Sequence, residues 1–599
     1  MEDKKLPKRD QVPEEFTWNL KDIFESNEAW AAENESLKAA LKEAEAFRGR
    51  LGESAEALLG FFRLDDKLSV RAEKLYCYAS CKSDQDISNS FYQDMRGKAV
   101  STLTRLSESL SYAAPEIMAI DEDKLNLFYI AQPDLEGYRR SIYKIRRRAA
   151  HILSHQEEAL LAAAGEMAES SEKIASVFRN ADVRFPDAVD GEGRPHQLTG
   201  GTLVPLMQSG DRALRRSAFD NFYGRLDEYK NTIAATLDGQ FKQLMFFSRA
   251  RRYDSTIAAS LDATEVPVEV YTRLIETVHA NMDKMYRYVA LRKRMLGVEQ
   301  LHMYDVYTPL VKELDEKISY REAQETVLKA LAVLGDDYVE LLKLGFDNRW
   351  IDVYENEGKR GGAYSTGGSR PHPYVLLNHK DNLDSLYTLA HEMGHALHSY
   401  HSTKYQSVSQ SDYVIFVAEV ASTCNEVLLT RYLLKNTQDK TRRAYIINHF
   451  LEEFKSTVYR QTMFAEFELE MGRMAERGET LTADALSEKY KALNSLYFGP
   501  DMVIDDGIAL EWARIPHFFY NYYVFQYATG FCAAMAIADR IMKNGESAVK
   551  DYKRFLSGGC STDPISLLKI AGVDMSSPEP VNDALRIFGE LIDEMETLL

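Results

Sequence analysis

The stretch Leu389-Ala390-His391-Glu392-Met393-Gly394-His395-Ala396-Leu397-His398 carries two histidines four residues apart in a helical pattern. At that spacing both side chains leave one face of a helix, close enough to share a tetrahedral zinc ion. Glu392, between them, is held beside that position, where a carboxylate can take a proton from an activated water. Upstream, Leu383, Leu386 and Leu389 or Ala390 give the helix a buried stripe, and Asp381 or Asn382 can cap its start. Gly394 is unexpected in such a helix, because a mid-helix glycine costs about 1 kcal/mol relative to alanine. A second helix pressed against that face would explain it.

The third donor is less direct. His401 follows His391 by ten residues, the spacing of the metzincin proteases, but that class needs a glycine where this chain has His398. With histidine there the helix continues and carries His401 roughly 15 Å along its axis from His391, too far to share an ion. His398 lies two turns beyond His391 on the same face and reads as a neighbour. Glu419 is the better candidate. With Ser422, Thr423 and Glu426 it forms a polar stripe at i, i+3, i+4 and i+7 on a helix otherwise apolar at Val414, Ile415, Val420, Leu428 and Leu429. A solvated face fits that pattern. So does a helix crossing the first, which would aim Glu419 at the metal, with Ser422 beside it and Glu426 orienting a histidine through its other ring nitrogen. Cys424 falls off the stripe and reads as a small buried residue.

Outward from this centre, 599 residues exceed a single core. Residues 26–178 repeat amphipathic helical patterns, such as Trp30, Leu37, Leu41 and Ala44. The pattern breaks at Val183-Arg184-Phe185-Pro186 and Asp190-Gly191-Glu192-Gly193, a hairpin signal. The expected division is therefore an N-terminal helical domain or lid over 1–195 and a catalytic domain over 196–599. A second break, 347–378, holds three β-like pieces at 350–354, 363–365 and 374–377, separated by Gly358, Gly361, Gly362, Gly367 and Gly368, which suit tight turns.

A formal charge of −19 with no basic face speaks against nucleic-acid binding. No segment has the length of unbroken apolar sequence that a membrane span needs, and residues 1–13 lack an apolar signal core. Five scattered cysteines (Cys77, Cys81, Cys424, Cys532 and Cys560) fit a reducing compartment better than a disulfide framework. The expectation is a cytoplasmic protein without membrane or nucleic-acid partners.

In the run from His391 to His398, in Glu419-Val420-Ala421-Ser422 and in Glu426, the chain resembles the thimet-oligopeptidase family of zinc peptidases, and within it the oligoendopeptidase F branch. Phe16-Thr17-Trp18-Asn19-Leu20, Trp350-Ile351-Asp352-Val353-Tyr354-Glu355-Asn356, Gly362-Ala363-Tyr364-Ser365 and Pro516-His517-Phe518-Phe519-Tyr520-Asn521-Tyr522-Tyr523 look like the same branch, so the resemblance spans nearly the whole chain. It implies a mainly α-helical, elongated, two-lobed zincin fold with a deep substrate channel and a small β-sheet beside the zinc helix. It also implies one zinc ion, held by His391, His395 and Glu419, and oligopeptide substrates. By the same resemblance residues 363–365 are an edge strand that pairs with the substrate backbone, and Gly362, Ala363, Tyr364 and Ser365 bind substrate. His517, Tyr520 and Tyr527 look like the family's donors to the oxyanion, Tyr520 and Tyr527 keeping its seven-residue spacing.

The expected activity is hydrolysis of internal bonds in short unstructured peptides, with Glu392 as general base. Two rivals remain open on sequence. One is a C-terminal exopeptidase on the same scaffold, which needs a fixed group for the terminal carboxylate. The other is a non-catalytic peptide-binding protein, against which Glu392 speaks, since a binding module has no use for a base beside the metal.

Overall fold

The computed structural model describes residues 5–312, 314, 316–366 and 371–598; Gly367 and Gly368 lie outside them. Among the described residues the fold is mainly helical with three small sheets. The chain divides into two compact units, each drawn from three separate stretches: 1–149, 316–432 and 537–573 in the first, 150–315, 433–536 and 574–599 in the second. Residue 195 lies within the first stretch of the second unit.

In the first unit, helices Asn27–Glu45, Ala55–Gln85 and Ser90–Leu110 bury their apolar stripes together, and Trp30, Leu37, Leu41 and Ala44 all face that core as their spacing predicts. Ser26 and Ser54 cap the first two helices by accepting from the backbone N–H of Ala29 and Ala57. Tyr374 and Leu376 join the same core, seating a three-stranded sheet on the helical layer.

That sheet contains the β-like pieces of the second break, each shorter than expected. Ile351–Asp352 runs parallel to the central strand Val375–Leu376, and Tyr364–Ser365 lies antiparallel on its other side, at the end of the sheet. Gly358 and Gly362 have φ of +79° and +81°, which only glycine adopts without strain. Two of the quoted motifs are joined here. Val353 N–H donates to Phe16 O and Asn19 N–H to Arg349 O, both at 2.9 Å. The fully buried Asp352 is paired with Lys359 at 2.7 Å and with Arg9, which ties the N-terminal segment to the sheet.

In the second unit the hairpin signal forms as Ala188–Val189 against Pro195–His196. Asp190 closes its turn by accepting from the backbone of Glu192 and Arg194 and from the Arg194 side chain. Helices Lys230–Ala250 and Arg460–Glu476 pack side by side in this unit. No helix among the described residues is long and apolar enough to cross a membrane.

Candidate metal centre

Helix Leu383–Tyr405 carries both histidines, and Asn382 caps it by accepting from Ser385 N–H at 2.9 Å. Leu383, Leu386, Leu389 and Ala390 are all buried, so the stripe is as read. The helix continues unbroken through His398 and His401, as the missing glycine predicts. His398 stacks on Tyr413 with ring centroids 3.8 Å apart, and burial pulls its pKa down to about 3. His401 is also buried, its pKa lowered to about 4, again by burial first, and it is not part of the metal-donor group.

Helix Ile415–Asn436 crosses this helix at Gly394. A Cβ on Gly394 would lie 2.6 Å from Ser422 Cα and 2.7 Å from Ala421 O, so only glycine permits the approach. The crossing is locked by Asn425, whose Nδ2 donates to Ala390 O at 3.0 Å while its Oδ1 accepts from Tyr338 at 3.1 Å. One turn further, the hydroxyls of Tyr387 and Thr430 meet at 2.9 Å. Sequence reasoning passed over Asn425 and Tyr338. The available signal was an asparagine, a poor helix former, lying off the polar stripe of Glu419, Ser422, Thr423 and Glu426.

The crossing brings His391, His395 and Glu419 together, with one ligand atom from each within 4.8 Å of the others. The two Nε2 atoms are 3.2 Å apart, and each lies 3.4 Å from Glu419 Oε2. Those separations match the edges of a tetrahedron, about 3.3–3.4 Å, around an ion with bonds of ~2.0–2.1 Å. Three protein donors leave a fourth position open, the pattern of a catalytic zinc site. Glu426 accepts from His391 Nδ1 at 3.0 Å, leaving the Nε2 lone pair for the metal. Ser422 donates to Glu419 Oε2 at 3.0 Å. Although burial opposes it, Glu426 and Glu419 raise His391 well above the ordinary imidazole value, so the pocket favours positive charge, which a divalent cation supplies. Burial also raises the Glu419 pKa, but its bonds to both histidines outweigh this and keep it ionised. The donor set therefore fits zinc.

Glu392 is 6% exposed, and its Oε2 has no hydrogen-bond partner among the described residues. Burial raises its pKa against the pull of the two histidines. Burial and an unengaged oxygen together make it a candidate for proton transfer. The strand Tyr364–Ser365 packs against the metal helix in the same unit. The Tyr364 hydroxyl is committed to Asp84 at 2.9 Å, and Gly362 O accepts from Asn378 at 2.7 Å.

Comparison with known proteins decides the family. A model described as Peptidase family M3 matches residues 205–587, and one described as Oligopeptidase F matches 116–185. The chain belongs to peptidase family M3. Within that family it falls in the oligopeptidase F branch. It is 47% identical over 594 residues to Oligopeptidase PepF of Bacillus subtilis, covering 99% of this chain and 89% of that protein. Group B oligopeptidase PepB of Streptococcus agalactiae is 40% identical over 591 residues, covering 99% and 98%. The crystal structure of oligoendopeptidase-F from Enterococcus faecium superposes with a TM-score of 0.75 at 37% identity, covering 96% of this chain and 99% of that one. The M3 chain described here is thus a zinc metallo-oligopeptidase, and the fold class read from its sequence holds as a mainly helical M3 fold with small sheets.

The remaining expected site residues belong to the second unit of this M3 peptidase. His517 lies in the short 3-10 turn Pro516–Phe519, and Tyr527 in the helix Phe525–Asn544. The rings of Tyr520 and Tyr527 lie 5.5 and 6.0 Å from that of His517. Tyr520 is 48% exposed, whereas Phe518, Phe519, Tyr522 and Phe525 are buried as packing residues. Tyr523 is only partly buried and stacks beside His517 at 6.4 Å. Burial, and then the charge of Arg179, lower the His517 pKa and keep the ring neutral.

Proposed function

We propose that this oligoendopeptidase F-type zinc peptidase cleaves internal bonds of short, unstructured peptides with Glu392 as its general base. The observation that carries the reading is the Glu392 carboxyl, buried between the two histidine donors with Oε2 unengaged. Bound zinc supplies Lewis acidity, lowering the pKa of a water and polarising a carbonyl. Glu392 Oε2 takes the proton from the attacking water, holds it, and gives it to the leaving amine nitrogen. Glu426 and Ser422 keep His391 and Glu419 oriented throughout. His517 and Tyr520 or Tyr527 act as hydrogen-bond donors to the oxyanion that develops on the carbonyl. The segment Gly362-Ala363-Tyr364-Ser365 aligns the substrate by main-chain pairing along the end of the sheet. Tyr364 supports this role because its side chain is occupied by Asp84, which leaves the backbone to do the pairing. Four of the five cysteines are buried in the packed interior, which supports a reducing location such as the cytoplasm.

The test is mass spectrometry of products from peptides blocked at both ends. Interior cuts are expected. Cleavage confined to free C-termini would instead make the chain an exopeptidase. Glu392→Gln should lower kcat by about 10²–10⁴-fold while zinc content, read by metal analysis, stays at one per chain. Substantial activity in that variant would remove Glu392 from the mechanism.

A further inference from the structure

The turn that presents His517 and Tyr520 ends in a backbone conformation that few sequences adopt. Asn521 and Tyr522 are consecutive non-glycine residues with φ of +54° and +61°. Asparagine tolerates the left-handed region, but a residue as bulky as tyrosine is strained there, by an amount on the order of 1–2 kcal/mol. Such a corner persists only when its surroundings over-determine it, and such corners cluster at functional sites.

Three groups determine this one, all within the second unit. From helix Arg460–Glu476, Glu468 Oε1 accepts from the backbone N–H of Tyr522 at 2.6 Å. From helix Lys230–Ala250, the buried Gln240 donates through Nε2 to Phe519 O at 3.1 Å and to Asn521 Oδ1 at 3.0 Å. The Tyr522 side chain then runs into a notch at Gly472, one helical turn beyond Glu468. Its hydroxyl meets Thr256 Oγ1 at 2.8 Å, and a Cβ on Gly472 would fall 1.9 Å from the phenol oxygen.

Glu468 is the costly member. It is fully buried, its Oε2 has no partner among the described residues, and burial pushes its pKa up to about 8. A carboxyl in that state does little for stability, since buried polar groups without partners are destabilising. A mid-helix glycine and a left-handed tyrosine at the same spot are two further penalties. All three converge on the corner beside Tyr520.

We propose that Glu468 is a positioning residue for His517 and Tyr520, holding the left-handed Asn521–Tyr522 corner that fixes the direction of those two side chains. This rests on the reading of His517 and Tyr520 as oxyanion donors, and the experiment separates the two ideas. Steady-state kinetics on a doubly blocked peptide, zinc content and Tm are measured for Glu468→Met, Glu468→Gln, Asn521→Ala, His517→Ala and Tyr520→Phe. Glu468→Met should lower kcat by about 10- to 100-fold, the scale on which misplacement of catalytic groups acts, with KM little changed and zinc retained. Glu468→Gln keeps an acceptor for Tyr522 N–H and should recover most of that loss, a rescue that a merely space-filling role would not require.

If His517→Ala lowers kcat while folded, zinc-loaded Glu468→Met keeps it, Glu468 is structural and the inference fails alone. If neither His517→Ala nor Tyr520→Phe changes kcat, the oxyanion reading fails and the inference falls with it. Should Glu468→Met not fold, Asn521→Ala decides. The position is exposed and alanine resists positive φ, so an unchanged kcat there overturns the proposal and a fall of about tenfold or more supports it.

Discussion

The two regions that carry the proposed chemistry are built on different principles. The metal donors stand on two long helices whose crossing point is set by a single missing Cβ, at Gly394, and whose register is pinned by Asn425. The proposed oxyanion donors stand on a short turn and the start of a helix, in a segment held by hydrogen bonds from two neighbouring helices and bent through left-handed residues. In the first region, side-chain direction follows from helical periodicity, so it is low in strain and repeats along the sequence. In the second, direction is imposed from outside on a backbone that would not choose it. A helical platform suits a metal site, where several donors must stay equidistant. A strained turn suits groups that must point at a charge existing only in the transition state.

The difference can be probed directly. Among the variants that separate the two regions, the largest effect is expected at the proposed oxyanion donors. Replacing Tyr520 or Tyr527 by Phe should cost the true donor about 10²–10³-fold in kcat, with zinc content unchanged; if neither variant falls, neither tyrosine stabilises the oxyanion. On the helical platform, Glu426→Gln should weaken zinc binding by about 10–100-fold, read by competition with a chelator. An unaltered affinity would mean that the Nδ1 contact of His391 is incidental.

Gly394→Ala drives a methyl group into Ser422 and should lower stability by about 1–3 kcal/mol, as overpacking does. A wild-type Tm with wild-type zinc affinity would show that the helix crossing is softer than its contacts imply. The smallest effect is expected from His398→Phe, which should keep both zinc and activity, since His398 is stacked and neutral and not a donor. Its folded pKa lies below the unfolded value, so the unfolded chain binds more protons between about pH 3 and 6.5 and stability falls as pH drops through that window. The Phe variant should therefore gain in Tm relative to wild type at pH 5 but not at pH 7.5; an equal shift at both would exclude the titration.

How much could be read beforehand follows the same division. His391, His395 and Glu392 were legible because helix geometry converts a spacing of four into a direction in space. Glu419 and Glu426 were legible through a polar stripe on an apolar helix, and Gly394 through its cost. Asn425 was not, because its partners, Ala390 O and the Tyr338 hydroxyl, come from other segments and leave no periodic trace. The strands near 351, 364 and 375 were visible in outline but came out shorter, their ends taken up by turns and by bonds to residues 16–19. The corner at Asn521 and Tyr522 had only a faint signal, an asparagine among aromatics. What bends it is Glu468, more than fifty residues away in the chain. Positive φ in a tyrosine is a property of the surroundings, and no local pattern encodes it.

The Asn425 tie between the two helices has a consequence for how the enzyme acquires its metal. The groups that hold the crossing together (an amide to a main-chain oxygen, a backbone pressed into a glycine, two hydroxyls) make no use of the ion. The chelating triangle is thus assembled by the core itself, and loading becomes a simple association with a ready-made receptor instead of the event that drives folding. Stripped protein should keep its shape, wait, and recover on titration with one equivalent of zinc.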